Sequence, residues 1–285
     1  MSQKAAATGP DAMFFVAVEQ GFPQGERILS DELALPILPL GSRIWVRLLR
    51  PVKRWLVGKT EAKVPGLWGG ITARKRYIDD ALSEHPATAV VNLGAGFDTR
   101  GCRLGERRVW ELDQRSTIEA KRKRLRKIFG KVPDNLTLVP VDFDRDDLGT
   151  ALASHGHEAR TPTFFIWEGV TQYLTEDGFR ATFKFLKGAA PGSRLVFTYV
   201  PADYIEGEKL YGQEFLYQRM RMKDNIWHFG IDPAAIDGLL AGYGWQVVEH
   251  LGYDELDTRY VKPTGRDLGW IAIERIVHAR KPTGE

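Results

Sequence analysis

The stretch V90-VNLGAGFDTRGCR-L104 runs from an apolar segment into Gly94-Ala95-Gly96, and Asp98, Thr99, Arg100 and Arg103 follow within seven residues of the second glycine. Open α/β sheets hold their ligands outside the carboxyl ends of the strands. Glycine at such an end lets the backbone take positive φ and approach a ligand closely. Taken alone, the pair says no more than that a strand turns sharply into a helix.

The next apolar run, "RRVWELD", ends at Asp113, 19 residues after Gly94 (113 − 94). In nucleotide-binding sheets an acid roughly 20 residues on accepts hydrogen bonds from ribose hydroxyls. Side chains alternate along a strand, so Glu111 shares the side of Asp113, and Asp113 at the end is better placed to reach a ligand. Glycines and acid together point to an adenosine-type ligand. A dinucleotide fingerprint would need a third glycine and an open helix N-terminus for pyrophosphate. Here Thr99 stands at that position, behind the acidic Asp98. This suits a ligand carrying positive charge, and S-adenosylmethionine has both a sulfonium and an ammonium group. Its carboxylate requires a cation such as an Arg.

Further along, "LTLVPVDFD", "TFFIWEGV" and "SRLVFTYV" continue the series of short apolar runs, and "WQVVEHLGY" and "GWIAIERIVHA" close it. Helical patterns lie between them at Arg115 to Phe129, Asp146 to Ser154, Glu176 to Lys187 and Asp232 to Gly244. Strands alternating with helices predict an α/β fold with a largely parallel, Rossmann-like seven-stranded sheet covered on both faces. Residues 1–87 read as a mostly helical N-terminal cap. "SDELALPILPL" opens with a cap-like Ser30-Asp31, and "GGITARKRYIDDALSEH" (Gly69 to His85) places Ile71, Ile78 and Leu82 at helical spacing beside Tyr77. Residues 88–285 form the core. An aromatic insert, 201–230, between strands five and six should sit at one end of the sheet. Asp142 and Glu168, after strands three and four, should join Gly94 and Asp113 at the carboxyl edge.

Composition narrows the function classes. Among 285 residues, 43% are hydrophobic and 11% aromatic, enough for a large core. The net charge is +3, from 40 basic and 37 acidic residues, which gives no bulk reason to expect nucleic acid as a partner. The basic run "KRKRLRK" (Lys121 to Lys127) is expected to be the solvated face of the helix after the second strand, with Ile118, Leu125 and Ile128 turned inward. Cys102 is the single cysteine, so no internal disulfide or cysteine-based zinc site forms, and a reducing, cytoplasmic compartment fits. The first residues carry no secretory pattern and no 18-residue apolar run occurs. "GSRIWVRLLRPVKRWLVGK" (Gly41 to Lys59) alternates cations with large apolar residues. Such a segment can lie on a membrane surface. The simpler expectation is a helix packed on the main domain with its basic side wet, broken near Pro51.

"ILSDELALPILP", "ITARKRYIDD", "VVNLGAGFDTRGCRL", "VWELDQRSTIEAKRKRL", "VPVDFD" and "EGVTQYLTEDGF" keep their order over about residues 28 to 180. In these segments the chain resembles the leucine carboxyl methyltransferase family, in particular its bacterial branch of S-adenosylmethionine-dependent O-methyltransferases linked to polyketides. "LGAGFDTR" and "EGVTQYL" carry the resemblance. It implies a class I methyltransferase sheet with a helical N-terminal cap. It also implies cofactor roles for Arg74 (the methionine carboxylate), Gly94 with Gly96, Asp113 (ribose), Asp142 and Phe143 (adenine) and Glu168 (the amino group). Asp98 and Arg100 also match family positions and are expected to shape the turn. A family lysine of the N-terminal region that helps hold the carboxylate has no matching position here. No pattern matches beyond residue 200, where acceptor specificity is expected.

The expected reaction is methyl transfer to a carboxylate or hydroxyl of a small-molecule acceptor such as a carboxylic acid or polyketide. A carboxylate is already ionised and needs no base, whereas a hydroxyl would need one. Tyr173, Tyr204, Trp227 and His228 are the candidate acceptor pocket, with His228 the base a hydroxyl would require and Tyr173 a pocket wall. Two other functions share the features: a nicotinamide-dependent oxidoreductase, which would lack its third glycine, and a non-catalytic protein that keeps the fold and the cofactor. No metal site is expected.

Overall fold

A computed structural model of the chain describes residues 9–269 and 271–283, with side chains from residue 12 onward. Seven strands form one sheet: β1 Ala89–Leu93, β2 Arg108–Asp113, β3 Leu136–Pro140, β4 Thr163–Trp167, β5 Arg194–Tyr199, β6 Gln246–Leu251 and β7 Arg275–Arg280. Their order is β3-β2-β1-β4-β5-β7-β6. The first five pair in parallel; β7 runs antiparallel to both β5 and β6. The order reverses beside β1, so the carboxyl ends of β1 and β4 flank a crevice, the usual ligand position in such sheets.

The longer helices are α1 Gly9–Glu19, α2 Leu40–Leu49, α3 Lys53–Lys63, α4 Leu67–Glu84, α5 Arg115–Phe129, α6 Leu148–Ser154, α7 Glu176–Lys187 and α8 Ile236–Gly242. Period-two alternation sorts the strand side chains between two cores. Val90, Val109, Leu138, Phe164 and Val196 join one cluster with Val16, Trp68, Ile78 and Leu125. Val91, Trp110, Val139, Phe165 and Leu195 join another with Leu152, Phe183 and Leu240. The N-terminal helices therefore share their core with one face of the sheet. A buried carboxylate pins them: Glu19 accepts from Trp68 Nε1 at 2.8 Å and from the Ile28 amide at 2.9 Å, and pairs with Arg266 at 2.6 Å. Among the described residues no helix is long and apolar enough to cross a membrane.

Four expectations need correction. The last strand begins at Arg275, not within "GWIAI". Its partner β5 ends opposite it, with Tyr199 paired to Arg275, so earlier residues have no strand to bond. Trp270 lies outside the described residues. "SDELALPILPL" makes only a four-residue helix, Ala34–Ile37, without a side-chain cap. Pro36 and Pro39 limit it, and Asp31 bonds the Leu33 amide and the Thr99 hydroxyl instead. Lys121 is not on the solvated face of α5 but fully buried in an ion pair with Glu111. Finally, α2 and α3 break at a 3-10 turn, Arg50–Val52, as Pro51 predicts, yet only Val46 and Val57 of the two helices are buried. Leu40, Ile44, Trp45, Leu48 and Trp55 face outward, while Leu56 packs partly against the core.

The insert lies between β5 and β6. Its ends are pinned where Pro201 bridges Ile231, and Tyr204, Leu216, Ile226 and Trp227 pack with Val200, Tyr253 and Ile271 beyond the end of β5.

Candidate active site

A cavity of about 450 Å³ opens at the carboxyl ends of β1 and β4, within the usual size range of small-molecule sites. Three layers build it. The strand ends supply Gly94, Ala95, Gly96, Asp98, Glu168 and Gly169; α4 supplies Arg74 and Lys75; the insert, α1 and the segment before β7 supply a largely apolar remainder, including Phe14, Phe15, Phe215, Met220, Trp227 and Ile273. One end is thus charged and the other apolar and aromatic.

The glycine turn is held from behind. Gly96 donates its amide to Asp113 Oδ2 at 2.7 Å, and the Gln114 amide reaches Oδ1 at 2.7 Å. Burial raises the Asp113 carboxyl above its usual range, although these bonds work against the rise. Gly94 lies at φ +75°, and a Cβ there would stand 2.4 Å from Val170 Cγ2, so both conformation and space call for glycine. At Gly169, φ is +67° and a Cβ would come within 3.1 Å of Arg74 Nη2. This glycine keeps the space beside the guanidinium clear.

The "FDTR" residues are the hub of a charge network. Asp98 accepts the Arg100 amide at 2.8 Å and pairs with the Arg100 guanidinium. Arg100 also bonds Glu168 at 2.8 Å, Asp79, and the Lys75 carbonyl at 2.9 Å. Thr99 donates to Asp31. Arg74 joins Glu168 at 3.0 Å and Glu274 at 2.9 Å, and Lys75 lies 3.2 Å from Glu168. Burial alone would raise the Glu168 carboxyl, but Lys75, Arg100 and Arg74 outweigh it and hold it near 2. Burial opposes the charge on Arg74, and Glu274 and Glu168 reverse this, so its guanidinium stays charged. Glu274 is pushed above the usual carboxylate range by burial, with Arg74 opposing.

The acid that argued against pyrophosphate is therefore itself neutralised by Arg100. What disfavours a phosphate here is the helix after the turn, which spans only Arg100–Arg103 and whose first amide is taken by Asp98.

Of the residues singled out from sequence, Arg74, Gly94, Gly96, Glu168, Tyr173 and Trp227 line the cavity together. Asp113 stands one layer behind it. Asp142 and Phe143 follow β3, outside the lining: Phe143 is buried in the core, and Asp142 Oδ1 accepts the Asp144 amide. Tyr204 is buried behind Trp227 and donates to the Gln213 carbonyl. His228 is exposed; its amide donates to the Gln172 carbonyl, and its ring does not line the cavity. Lys75 and Glu274 are participants that the sequence reading missed. Lys75 adjoins Arg74 and could have been suspected; Glu274 sat inside a segment taken for strand. Two polar atoms among the lining residues are buried without a hydrogen-bond partner among the described residues, the donor Trp227 Nε1 and the acceptor Gln172 Oε1.

A family model described as leucine carboxyl methyltransferase matches residues 12–187. Two curated relatives are each described as a "putative S-adenosyl-L-methionine-dependent methyltransferase". One, from Mycolicibacterium paratuberculosis, is 35% identical over 78% of this chain and 76% of its own. The other, from Mycolicibacterium smegmatis, is 34% identical over 66% of this chain, and the match spans 65% of that relative's length. A solved structure from Thermobifida fusca, described as a "putative methyltransferase", superposes with a TM-score of 0.58 at 17% identity, covering 81% of this chain and 88% of that one.

Proposed function

The chain belongs to the leucine carboxyl methyltransferase family, and from that premise we propose that it is an O-methyltransferase that esterifies a carboxylate of a small-molecule acceptor. It is an S-adenosylmethionine-dependent methyltransferase, as its curated relatives are described. The charged end of the cavity fits that cofactor. Arg74 would hold the methionine carboxylate, with Gly169 leaving room beside it. Glu168, kept ionised by its three cations, would face the ammonium group. Asp113 would reach the ribose over the glycine turn.

The observation that carries the carboxylate reading is the pairing of an apolar, aromatic far end with one orphaned buried donor, Trp227 Nε1. A buried polar group without a partner is costly, and a ligand oxygen there would relieve it. When bound, S-adenosylmethionine would supply a methyl already activated on a sulfonium, with the new C–O bond to the acceptor oxygen replacing the C–S bond and S-adenosylhomocysteine as the leaving group. What remains for the protein is alignment and exclusion of water. The ion-paired end fixes the donor side. Phe14, Phe15, Met220 and Trp227 shape the acceptor side and keep it dry. A carboxylate arrives ionised, so no proton must move. A hydroxyl acceptor needs a base, and the exposed position of His228 favours the carboxylate over it.

Labelled methyl transfer to a panel of carboxylic acids, phenols and alcohols tests the proposal. The expected product is released as methanol by mild alkali, as an ester is. An alkali-stable ether would refute the carboxylate reading. Trp227→Phe should raise the acceptor KM while leaving S-adenosylmethionine affinity unchanged.

A further inference from the structure

Six of the ten most exposed large apolar side chains among the described residues lie between Leu40 and Trp55: Leu40, Ile44, Trp45, Leu48, Val52 and Trp55. Leu40, Ile44 and Leu48 follow one another at i, i+4 spacing along α2, with Trp45 beside them, which makes a continuous stripe. Trp45 and Trp55 are 62% and 60% exposed. Buried tryptophan would be ordinary; two exposed ones on adjoining helices are not.

The same segment, Gly41 to Lys59, carries Arg43, Arg47, Arg50, Lys53, Arg54 and Lys59 and no acid. Nearby acids do not neutralise it as a group. Glu26 is taken by Arg54, and Glu61 accepts the backbone amides of Gly66, Trp68 and Gly269. Arg47 and Arg50 are exposed at the end of the stripe. The face therefore combines apolar bulk, indole rings and positive charge that, Arg54 apart, no acid among the described residues pairs. A partner must offer apolar depth and negative charge over the same few residues. An anionic lipid layer does: acyl chains take the apolar stripe, tryptophan rings sit at the headgroup level, and cations meet the phosphates.

We propose that the Leu40–Trp55 face docks on anionic lipid surfaces. Helix α3 runs on from Trp55 and ends at the mouth of the cavity. Lys63, the last residue of α3, stands 4.1 Å over the ring of Phe215, and Phe215 lines the cavity while remaining partly exposed. Docking would hold that mouth against the lipid headgroups. The inference does not depend on the acceptor proposed above.

Flotation of the full chain with vesicles tests it. The wild-type chain is expected to float with mixed phosphatidylcholine and phosphatidylglycerol vesicles and not with phosphatidylcholine alone, and to be released near 1 M salt, where screening is nearly complete. Its tryptophan emission should shift to the blue on binding. Trp45→Glu with Trp55→Glu should abolish flotation. Arg47→Glu with Arg50→Glu should lower partitioning more than about tenfold. Both variants should titrate S-adenosylmethionine like the wild type in calorimetry, which shows that they fold. If neither they nor the wild type bound the cofactor while the wild type still floated, the functional proposal would fail and the docking would stand. Absence of wild-type flotation, or equal flotation of the variants, overturns the docking. So does a lipid-free dimer of the wild type that the tryptophan variants dissociate, since the face would then be covered by a second copy.

Discussion

Gly94→Ala is the sharpest probe of the turn. Two costs add. The residue sits at φ +75°, where a non-glycine residue loses about 1–2 kcal/mol. The new methyl would lie 2.4 Å from Val170 Cγ2 and 3.2 Å from Cγ1, and overpacking of this kind costs about 1–3 kcal/mol. A stiffer unfolded chain returns about 0.4–1 kcal/mol. The expected net loss is about 1–4.5 kcal/mol, a large share of a typical domain's stability. Val170→Ala removes both offending atoms and leaves its Cβ as the nearest, at 3.3 Å. The two changes should therefore couple: the double variant should be more stable than the sum of the singles by about 1–2 kcal/mol. Urea unfolding of the four proteins measures this, with a constant m-value as the control. Additivity within about 0.5 kcal/mol would refute the steric account of the turn. A single variant as stable as the wild type would refute the backbone account as well.

Three further predictions follow from the site and the core. Arg100→Met leaves Asp98, Asp79 and Glu168 without their common cation and should cost about 3–5 kcal/mol in urea unfolding; adding Asp98→Asn should recover part of it. Asp113→Ala should weaken S-adenosylmethionine binding about tenfold to a hundredfold in calorimetry, as for a lost hydrogen bond to a charged group, and an affinity within about twofold of the wild type would remove Asp113 from the site. Acid should destabilise the fold through His278, whose imidazole is lowered to about 4, by burial first and by Arg194. Between the unfolded value of 6.5 and that value the unfolded state binds the extra proton, so stability falls as pH falls, by about 2 kcal/mol from pH 7.5 to pH 5. His278→Phe should flatten the curve by that amount, and an unchanged slope would show that His278 does not titrate on unfolding.

The sheet was legible because fully buried strands leave continuous apolar runs with acids and glycines at their ends. Gly94, Asp113 and Glu168 announced themselves in this way, and β2 and α5 fall where the pattern puts them. What the pattern could not show was tertiary payment in charge. Lys121 looks like one cation among several, yet Glu111 on the neighbouring strand draws it inward. Asp98 looked like a free anion, but its partner is two residues on, folded back on it by the turn. Glu274 was hidden by its neighbours: Ile271 and Ile273 alternate like a strand, and only the end of β5 reveals that they have nothing to pair with. The exposed stripe on α2 has the same cause in reverse, since amphipathic spacing says that a face is apolar but not what covers it.

The bridge between Pro201 and Ile231 bears on how such a protein can diversify. The two ends of the insert meet at a closed neck, where Val200, Ala202 and Ile231 exchange backbone bonds. Sequence drift inside the neck need not disturb strand pairing, so the chemistry it presents to an acceptor is free to change by small steps. The opposite holds at the charged end. There Glu168 serves three cations and Arg100 three carboxylates, and a lone change strands a buried charge. Inheritance should therefore be conservative at the cofactor and experimental at the acceptor, with the aromatic insert diverging fastest between descendants of one ancestor.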